Sequence, residues 1–87
     1  MAQVKMIWVI AVAEIYPNGD VSVTTSSAAK DLEKASYLLD RLIWQYIKDY
    51  GYAVRDEINT YTKSTIVLEN RSELKQAVIT CTKTPLQ

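Results

Sequence analysis

The stretch "VKMIWVIAVAEIYPNGDVSVTT", residues 4–25, decides the fold because it encodes a β-hairpin with a very apolar first strand. Residues 4–16 are rich in β-branched and aromatic side chains and lead into Pro17-Asn18-Gly19-Asp20, in which Asn and Gly tolerate the positive φ angles of a tight turn. After the turn, Val21 and Val23 alternate with polar residues, as in a strand with one buried face. The stretch therefore predicts two antiparallel strands.

The first strand is apolar on both faces, because alternate residues of a strand point to opposite sides. One face carries Val4, Met6, Trp8, Ile10 and Val12, and the other carries Ile7, Val9, Ala11, Ala13 and Ile15. Such a strand needs cover on both sides of the sheet. We expect self-association, as a homodimer, through Ile7, Val9, Ala11 and Ala13. Two alternatives stay open: the sheet curls, or residues 52–61 fold beneath it.

Residues 28–50 predict one long helix, because apolar side chains recur there at every third or fourth position. The expected core stripe consists of Ala28, Leu32, Ala35, Leu39, Leu42, Ile43, Tyr46, Ile47 and Tyr50. Ser26 or Ser27 is the expected N-cap, and Gly51 is the expected left-handed C-cap.

Beyond the helix, "TIVLE" (65–69) and "KQAVITCTK" (75–83) predict two strands joined by a polar hairpin loop. Residues 52–61 are ambiguous, and we interpret them as a further strand. The tail, residues 84–87, is expected to fray because Pro85 cannot extend an interior strand. The order ββαββ, with room for one extra strand, predicts a single α+β domain over residues 1–87, in which one long helix crosses one face of an antiparallel sheet.

The side of the helix opposite its core stripe carries cations with two aromatic rings among them. Spacings of 4, 3, 4, 3 and 4 place these residues in one line, here called the basic–aromatic stripe: Lys30, Lys34, Tyr37, Arg41, Trp44 and Lys48. Trp, Tyr and Arg dominate the binding energy of many protein interfaces. We therefore expect a protein partner to bind at Lys34, Tyr37, Arg41, Trp44 and Lys48.

Two other interpretations of the basic–aromatic stripe remain open. In the first, the stripe is a solvated helix face on which Arg41 stacks over Trp44 as a cation–π pair. In the second, the protein binds nucleic acid, with rings stacked on bases and cations along the phosphates. Ten Lys and Arg residues balance ten Asp and Glu residues, and this zero net charge weakens the nucleic-acid interpretation.

The composition offers little for catalysis. The chain has no His, which removes the Ser-His-Asp triad and the common zinc sites, and its two Gly cannot build a phosphate-binding loop. Cys81 lies in an apolar run and is expected to be a buried, inert thiol. We expect no enzymatic activity, catalytic residue, cofactor, metal site or small-molecule ligand. The tyrosines are expected to line the edge of the core: Tyr46, Tyr50, Tyr52 and Tyr61.

The first fifteen residues resemble a signal peptide, with Lys5 before an apolar run and an Ala-x-Ala site at Ala11–Ala13. The run is short for that role, and too short to span a bilayer, so we interpret it as a strand. The single cysteine favours a reducing compartment and a cytoplasmic protein. The sequence thus predicts a small self-associating, non-enzymatic regulator or inhibitor, of the kind that phages and plasmids encode to act on host protein complexes.

Overall fold

The structure, a computed structural model, describes residues 5–85, without the side chains of Thr25 and Ser26. Its elements are β1 (Met6–Ile15), β2 (Val21–Ala29), α1 (Leu32–Tyr50), β3 (Ala53–Asn59), β4 (Lys63–Asn70) and β5 (Lys75–Pro85). The strands form one antiparallel sheet in the order β2-β1-β5-β4-β3. This confirms the α+β class, and the order contains the extra strand after the helix. Val4 of the predicted first strand lies outside the described residues.

The turn between β1 and β2 closes as the sequence predicts. The Tyr16 N–H donates to the Asp20 carbonyl at 2.9 Å, and the Gly19 N–H donates to the Tyr16 carbonyl at 2.9 Å. Gly19 has a φ of 89°, a left-handed conformation that glycine adopts without steric cost. The second strand is longer than predicted, because pairing with β1 continues to Ala29 after a register shift between Ile10 and Ala11.

The core lies between the central strands and the helix. β1 has β2 on one side and β5 on the other, and β4 follows β5. The largest fully buried side chains come from these central strands: Ile10, Leu68 and Ile79. The alternate residues of β1 point to the other face of the sheet, where the structure places no helix. The single helix therefore covers only one of the two apolar faces of β1.

The helix begins at Leu32, and its N-cap is Asp31. The Asp31 Oδ1 accepts a hydrogen bond from the Lys34 N–H at 2.8 Å. The prediction of Ser26 or Ser27 as N-cap was wrong, because both belong to β2, where Ser27 pairs with Ile10 and Ser26 lies at the register shift. Gly51 is the C-cap with a φ of 73°, as predicted.

The predicted core stripe of the helix is correct in its middle and wrong at its ends. Ala35 and Tyr46 are buried, and the side chains around them pack partly buried against the core: Leu38, Leu39, Leu42, Ile43 and Ile47. Ala28 lies in β2 instead of the helix, while Leu32 and Tyr50 lie in the first and last turns and are more than half exposed. The predicted apolar side chains of α1 therefore pack against the core in the central turns of the helix and not at its two ends.

Residues 53–59 form a strand, which confirms the preferred interpretation of the ambiguous segment. β3 adds to the edge of the sheet beside β4, and all seven of its residues are exposed. The alternative that this segment folds beneath the sheet was therefore wrong. The loop between β4 and β5 is the predicted polar connection, residues 71–74.

The prediction that residues 84–87 fray was wrong for the part that the structure describes. Thr84 pairs with Ile7 and Pro85 pairs with Met6, so both belong to β5. The pairing of β4 with β5 ends at Thr82, which leaves Pro85 at the last position of its strand with a partner on one side only. Proline is tolerated at such a position because no ladder hydrogen bond needs its missing N–H. Leu86 and Gln87 lie outside the described residues.

The sheet and the helix of the described residues form an elongated molecule. Its radius of gyration is 14.1 Å and its principal extents are 53 × 23 × 19 Å. A compact domain of this length has a radius of gyration of about 12 Å. The excess reflects long strands that are covered on one side only, and it leaves much of the sheet surface accessible.

The N-cap gives a stability prediction. Asp31→Ala removes the acceptor of the Lys34 N–H and should lower the free energy of unfolding by about 1 kcal/mol. Asp40→Ala is the matched control: Asp40 is exposed within the helix, so exchange for a better helix former should leave stability unchanged or slightly raised. Urea denaturation of both variants measures the difference. Equal stability of the two variants would remove Asp31 as the cap.

Candidate functional site

The sheet face away from the helix, called here the open face, is mostly apolar. Strand register assigns its residues, since directly opposite residues share a face. Val9 lies between Ala28 and Thr82, and Ala13 lies between Val23 and Val78. The open face of the two central strands consists of Ile7, Val9, Ala11, Ala13 and Ile15 from β1 and of Gln76, Val78, Thr80, Thr82 and Thr84 from β5.

Charge is absent from the centre of the open face. Neither β1 nor β5 contributes a charged side chain to it, and on β4 the charged residues Lys63 and Glu69 lie at opposite ends of the strand. The four residues predicted to mediate self-association, Ile7, Val9, Ala11 and Ala13, all lie on this face and are half-buried by their neighbours within the sheet. Their role in self-association stays a prediction.

Five residues of the basic–aromatic stripe lie on the exposed side of α1, whereas Lys30 precedes the helix, which begins at Leu32. Tyr37 and Trp44 are each 59% exposed, and the cations Lys34, Arg41 and Lys48 are exposed as well. The Arg41 guanidinium carbon lies 5.7 Å from the centroid of the Tyr37 ring. The cation–π pair predicted between Arg41 and Trp44 is thus replaced by one with Tyr37, four residues earlier on the same side of the helix. The indole of Trp44 is left open to contact.

A cluster of tyrosines around Glu14 was missed by the sequence interpretation. Glu14 lies on the helix side of β1, at the end of the line that includes Ile10 and Val12. The Tyr46 hydroxyl donates to Glu14 Oε1 at 2.6 Å, and the Tyr16 hydroxyl donates to Glu14 Oε2 at 2.9 Å. Both oxygens of the carboxyl group therefore have a phenol partner, which ties the helix to the central strand.

Three of the cluster's rings pack edge to face. The Tyr46 ring centroid is 5.3 Å from that of Tyr50 and 5.1 Å from that of Tyr52, with interplanar angles of 73° and 80°. Tyr46 and Tyr52 are buried as expected, whereas Tyr50 is half exposed. Tyr61 is fully exposed, so its predicted place at the core edge was wrong. The T-shaped geometry is the one that aromatic quadrupoles favour.

The electrostatics of the cluster keep the phenols protonated. Burial raises the pKa of Tyr46 well above its ordinary value, and the hydrogen bond to Glu14 adds to the rise. For Tyr16 the hydrogen bond to Glu14 is the main reason that the pKa is raised. A phenol in this setting is a hydrogen-bond donor at neutral pH and a poor base, so the cluster is suited to fixing geometry.

A cavity of about 340 Å³ opens beside the cluster, lined by Glu14, Tyr46, Asp49, Tyr50, Tyr52, Glu73 and Lys75. The Lys75 ammonium is paired with Glu73 at 3.3 Å and lies 5.6 Å from the Tyr16 ring centroid. The chain thus supplies its own cation at the rim of the cavity.

The sequence contains one sign of the Glu14 cluster: Glu14 is a lone acid that continues an apolar line of the first strand.

The C-terminal end of the helix is fixed at the same place. The Asn70 side-chain nitrogen donates to the Tyr50 carbonyl at 2.9 Å, and the Asn70 side-chain oxygen accepts from the Glu73 N–H at 3.1 Å. Asn70 is buried, and its side-chain nitrogen satisfies one of the carbonyls that a helix end leaves without an intrahelical partner. Helix and sheet are therefore joined at this end by polar as well as apolar contacts.

Cys81 is buried on the helix side of β5, as expected. Burial raises the pKa of its thiol, which lowers the thiolate fraction and the reactivity. Within residues 5–85 no group of three His, Cys, Asp or Glu side chains is arranged to hold a metal ion. The described part of the chain also contains no helix with the length and apolarity needed to cross a membrane.

Comparisons with known proteins assign no relative: no family model, curated protein or solved structure matches the chain.

The Tyr46–Glu14 contact gives a pH-dependent stability prediction. The folded-state pKa of Tyr46 lies above its ordinary value near 10, so ionisation favours the unfolded chain. The stability that Tyr46 contributes is present below about pH 10 and is lost as the pH rises above that value. Tyr46→Phe should cost about 1–2 kcal/mol at pH 7 and should show a smaller further loss above pH 10.

The control for this variant is Tyr61→Phe at the fully exposed tyrosine, which should match the wild type at every pH. Denaturant titrations between pH 7 and pH 11 measure all three proteins. A Tyr46→Phe curve parallel to that of the wild type across pH 10 would contradict the role assigned to this phenol.

Proposed function

We propose that this protein is a non-enzymatic protein-binding module that self-associates through its open face and presents the basic–aromatic stripe to a protein partner. The observation that carries the proposal is the uncovered apolar face of the two central strands, which has no charged residue of β1 or β5 on it. Monomers rarely leave a large contiguous apolar patch in water. A second copy of the same chain supplies a cover that matches it in composition.

The area of the open face is sufficient for a dimer. Ten residues of β1 extend over roughly 34 Å, and the five strands span roughly 19 Å between the two edge strands. The product, about 650 Å² per copy, gives about 1,300 Å² for two copies, within the size range of specific protein interfaces. Stacked sheets pack face to face at about 10 Å with side chains interdigitated. Valine, isoleucine, alanine and threonine suit such a contact.

The charges at the rim of the open face are also compatible with two-fold packing. A two-fold axis that lies between the two sheets and runs perpendicular to the strands reverses the strand direction. It places Lys63, at one end of β4, over Glu69 of the second copy, at the other end. This arrangement pairs the opposite charges of β4 at both ends of that strand. Asp56 of the edge strand β3, opposite Val67, also lies on the open face and gains no such pair.

The basic–aromatic stripe is the surface proposed to bind a different protein. Tyr37 and Trp44 are both exposed, and both lie on a helix whose two ends are capped. A rigid helix that presents aromatic rings and an arginine loses little conformational entropy on binding. We propose a regulator or inhibitor of its partner, active in the cytoplasm, where a lone free cysteine such as Cys81 stays reduced.

Self-association is tested by Thr80→Glu. Thr80 lies on the open face opposite Ala11 and Thr65, so a glutamate there places a carboxylate in the middle of the proposed interface. We expect the dissociation constant of the dimer to rise at least about tenfold, since the unpaired charge must lose its hydration. Sedimentation velocity across a concentration series measures it.

Thr62→Glu provides the control, because Thr62 is exposed in the turn before β4 and undergoes the same chemical change. It should associate as the wild type does, and circular dichroism should show both variants folded. A wild-type protein that sediments as a monomer at all concentrations would contradict self-association.

Partner binding is tested by Trp44→Ala, with Tyr61→Ala as an exposed aromatic control away from the stripe. Affinity capture from a host lysate with wild type and a Tyr37→Ala/Trp44→Ala variant identifies the protein that depends on the stripe. For that protein, calorimetry should show Trp44→Ala to cost at least about 2 kcal/mol in binding with little change in melting temperature. Retention of nucleic acid, with affinity that falls steeply with salt, would overturn the protein-partner proposal.

A further inference from the structure

We infer that β2 is an interaction edge that pairs antiparallel with β2 of a second copy and so continues the sheet from one molecule into the next. The inference extends the proposed self-association by a second contact, and it rests on that proposal only in requiring that copies of the chain associate. The contact uses backbone groups in the plane of the sheet, whereas the open-face contact uses side chains that point out of it.

The two edges of the sheet are protected unequally. β3, at one edge, carries three consecutive charged residues, Arg55, Asp56 and Glu57, and a register shift between Val54 and Asp56. Charges and bulges on an edge strand are devices that prevent pairing with another strand. The β3 edge is therefore protected against addition of a further strand.

β2, at the other edge, has none of the charges that protect β3. Its nine residues, VSVTTSSAA, include no charged residue and no proline. Val21 and Val23 are 58% and 71% exposed. The register shift in β2 lies opposite Ile10 and Ala11, so the segment from Val21 to Thr25 pairs regularly with β1. Its outer side presents a row of backbone N–H and C=O groups in strand geometry.

The sequence of β2 is complementary to itself in the antiparallel direction. Pairing about Val23 places Val23 opposite Val23 of the second copy and Ser22 opposite Thr24. Such β-branched and hydroxyl pairs are favourable cross-strand neighbours, and no like charges meet. A two-fold axis perpendicular to the sheet relates the two strands, which keeps both helices on one side and joins the two open faces into one surface.

Because edge pairing joins the two open faces into one surface, we take the partner strand at the β2 edge to be β2 of a second copy. Val21 and Val23 point to the same face as Ile15 and Ala13, their partners on β1. Edge pairing therefore doubles the apolar surface that the face-to-face contact covers. The two contacts together make a tetramer with two ten-stranded sheets packed against each other.

The test is the double variant Ser22→Lys/Thr24→Lys. Ser22 and Thr24 are exposed on the helix side of β2, opposite Glu14 and Val12, so the lysines leave the open face unchanged. They place like charges across the proposed pairing and should raise the dissociation constant of the edge contact at least about tenfold. Val54→Lys/Asn59→Lys is the matched control, because both residues are exposed on the helix side of β3.

Sedimentation of the variants separates the two contacts. We expect a tetramer for the wild type and the β3 control, a dimer for Ser22→Lys/Thr24→Lys, a dimer for Thr80→Glu and a monomer for all three changes combined. Association of Ser22→Lys/Thr24→Lys equal to that of the wild type would overturn the edge contact while leaving the open-face contact intact. If the lysines dissociate the protein and Thr80→Glu has no effect, the open-face contact is overturned and the edge contact stands.

Hydrogen exchange of the wild type tests the edge without any substitution. The amides of residues 21–25 that face away from β1 should become protected as protein concentration rises, while those on the outer side of β3 exchange fast throughout. Outer β2 amides that exchange fast at every concentration would overturn the inference. Protection of β2 only in a captured complex would assign the edge to an extended segment of a different protein, which also overturns pairing with a second copy.

Discussion

β1 runs through the interior of the sheet with apolar side chains on both of its faces, while residues 5–85 contain one helix to place against it. Ile10 loses all of its exposure under α1, but Val9, its neighbour in the sequence, points to the face that no helix covers. Hydrophobic burial is the main favourable contribution to folding and grows with the area removed from water. Because α1 packs on one face of β1, the opposite face has no covering element within residues 5–85, and the open face follows from that constraint.

The helix is capped at its N-terminal end and is bonded to the sheet at its C-terminal end. At its beginning Asp31 caps it directly after β2, and at its end Tyr46 bonds to Glu14 while Asn70 bonds to the Tyr50 carbonyl. These contacts fix the rotation of the helix about its own axis. The residues of the basic–aromatic stripe on α1 therefore face outward in a defined direction.

The parts of the fold that depend on local backbone preferences could be predicted from the sequence. Pro17-Asn18-Gly19-Asp20 determines a turn wherever two strands flank it, and Gly51 ends the helix because only glycine adopts its left-handed conformation without strain. The start of the helix could not be predicted in this way. Ser27 is a good N-cap, but its backbone pairs with Ile10, and that long-range pairing decided in favour of Asp31.

The Glu14 cluster at the candidate site also depends on long-range contacts, so it could not be predicted from local sequence patterns. Its members come from β1, the first turn, the last turns of the helix and the residue before β3, so no local pattern joins them. The burial of the tyrosines depends on long-range packing: Tyr46 bonds to Glu14 and is buried, whereas Tyr61 lies in the turn before β4 and is fully exposed. The one local sign was a carboxylate in line with Ile10 and Val12, a placement that requires polar partners.

The pairing of β1 with β5 joins residues 6–15 to residues 75–85, and this separation governs how the chain can fold during synthesis. At 5–20 residues per second, the ribosome needs roughly 3 to 12 s to add the 59 residues between the two strands. During that interval "MIWVIAVA" can form only a marginal hairpin with β2, and its uncharged β-branched character is typical of segments that aggregate when exposed. β1, an interior strand of the finished sheet, thus keeps one edge unpaired in the nascent polypeptide until β5 has been synthesised.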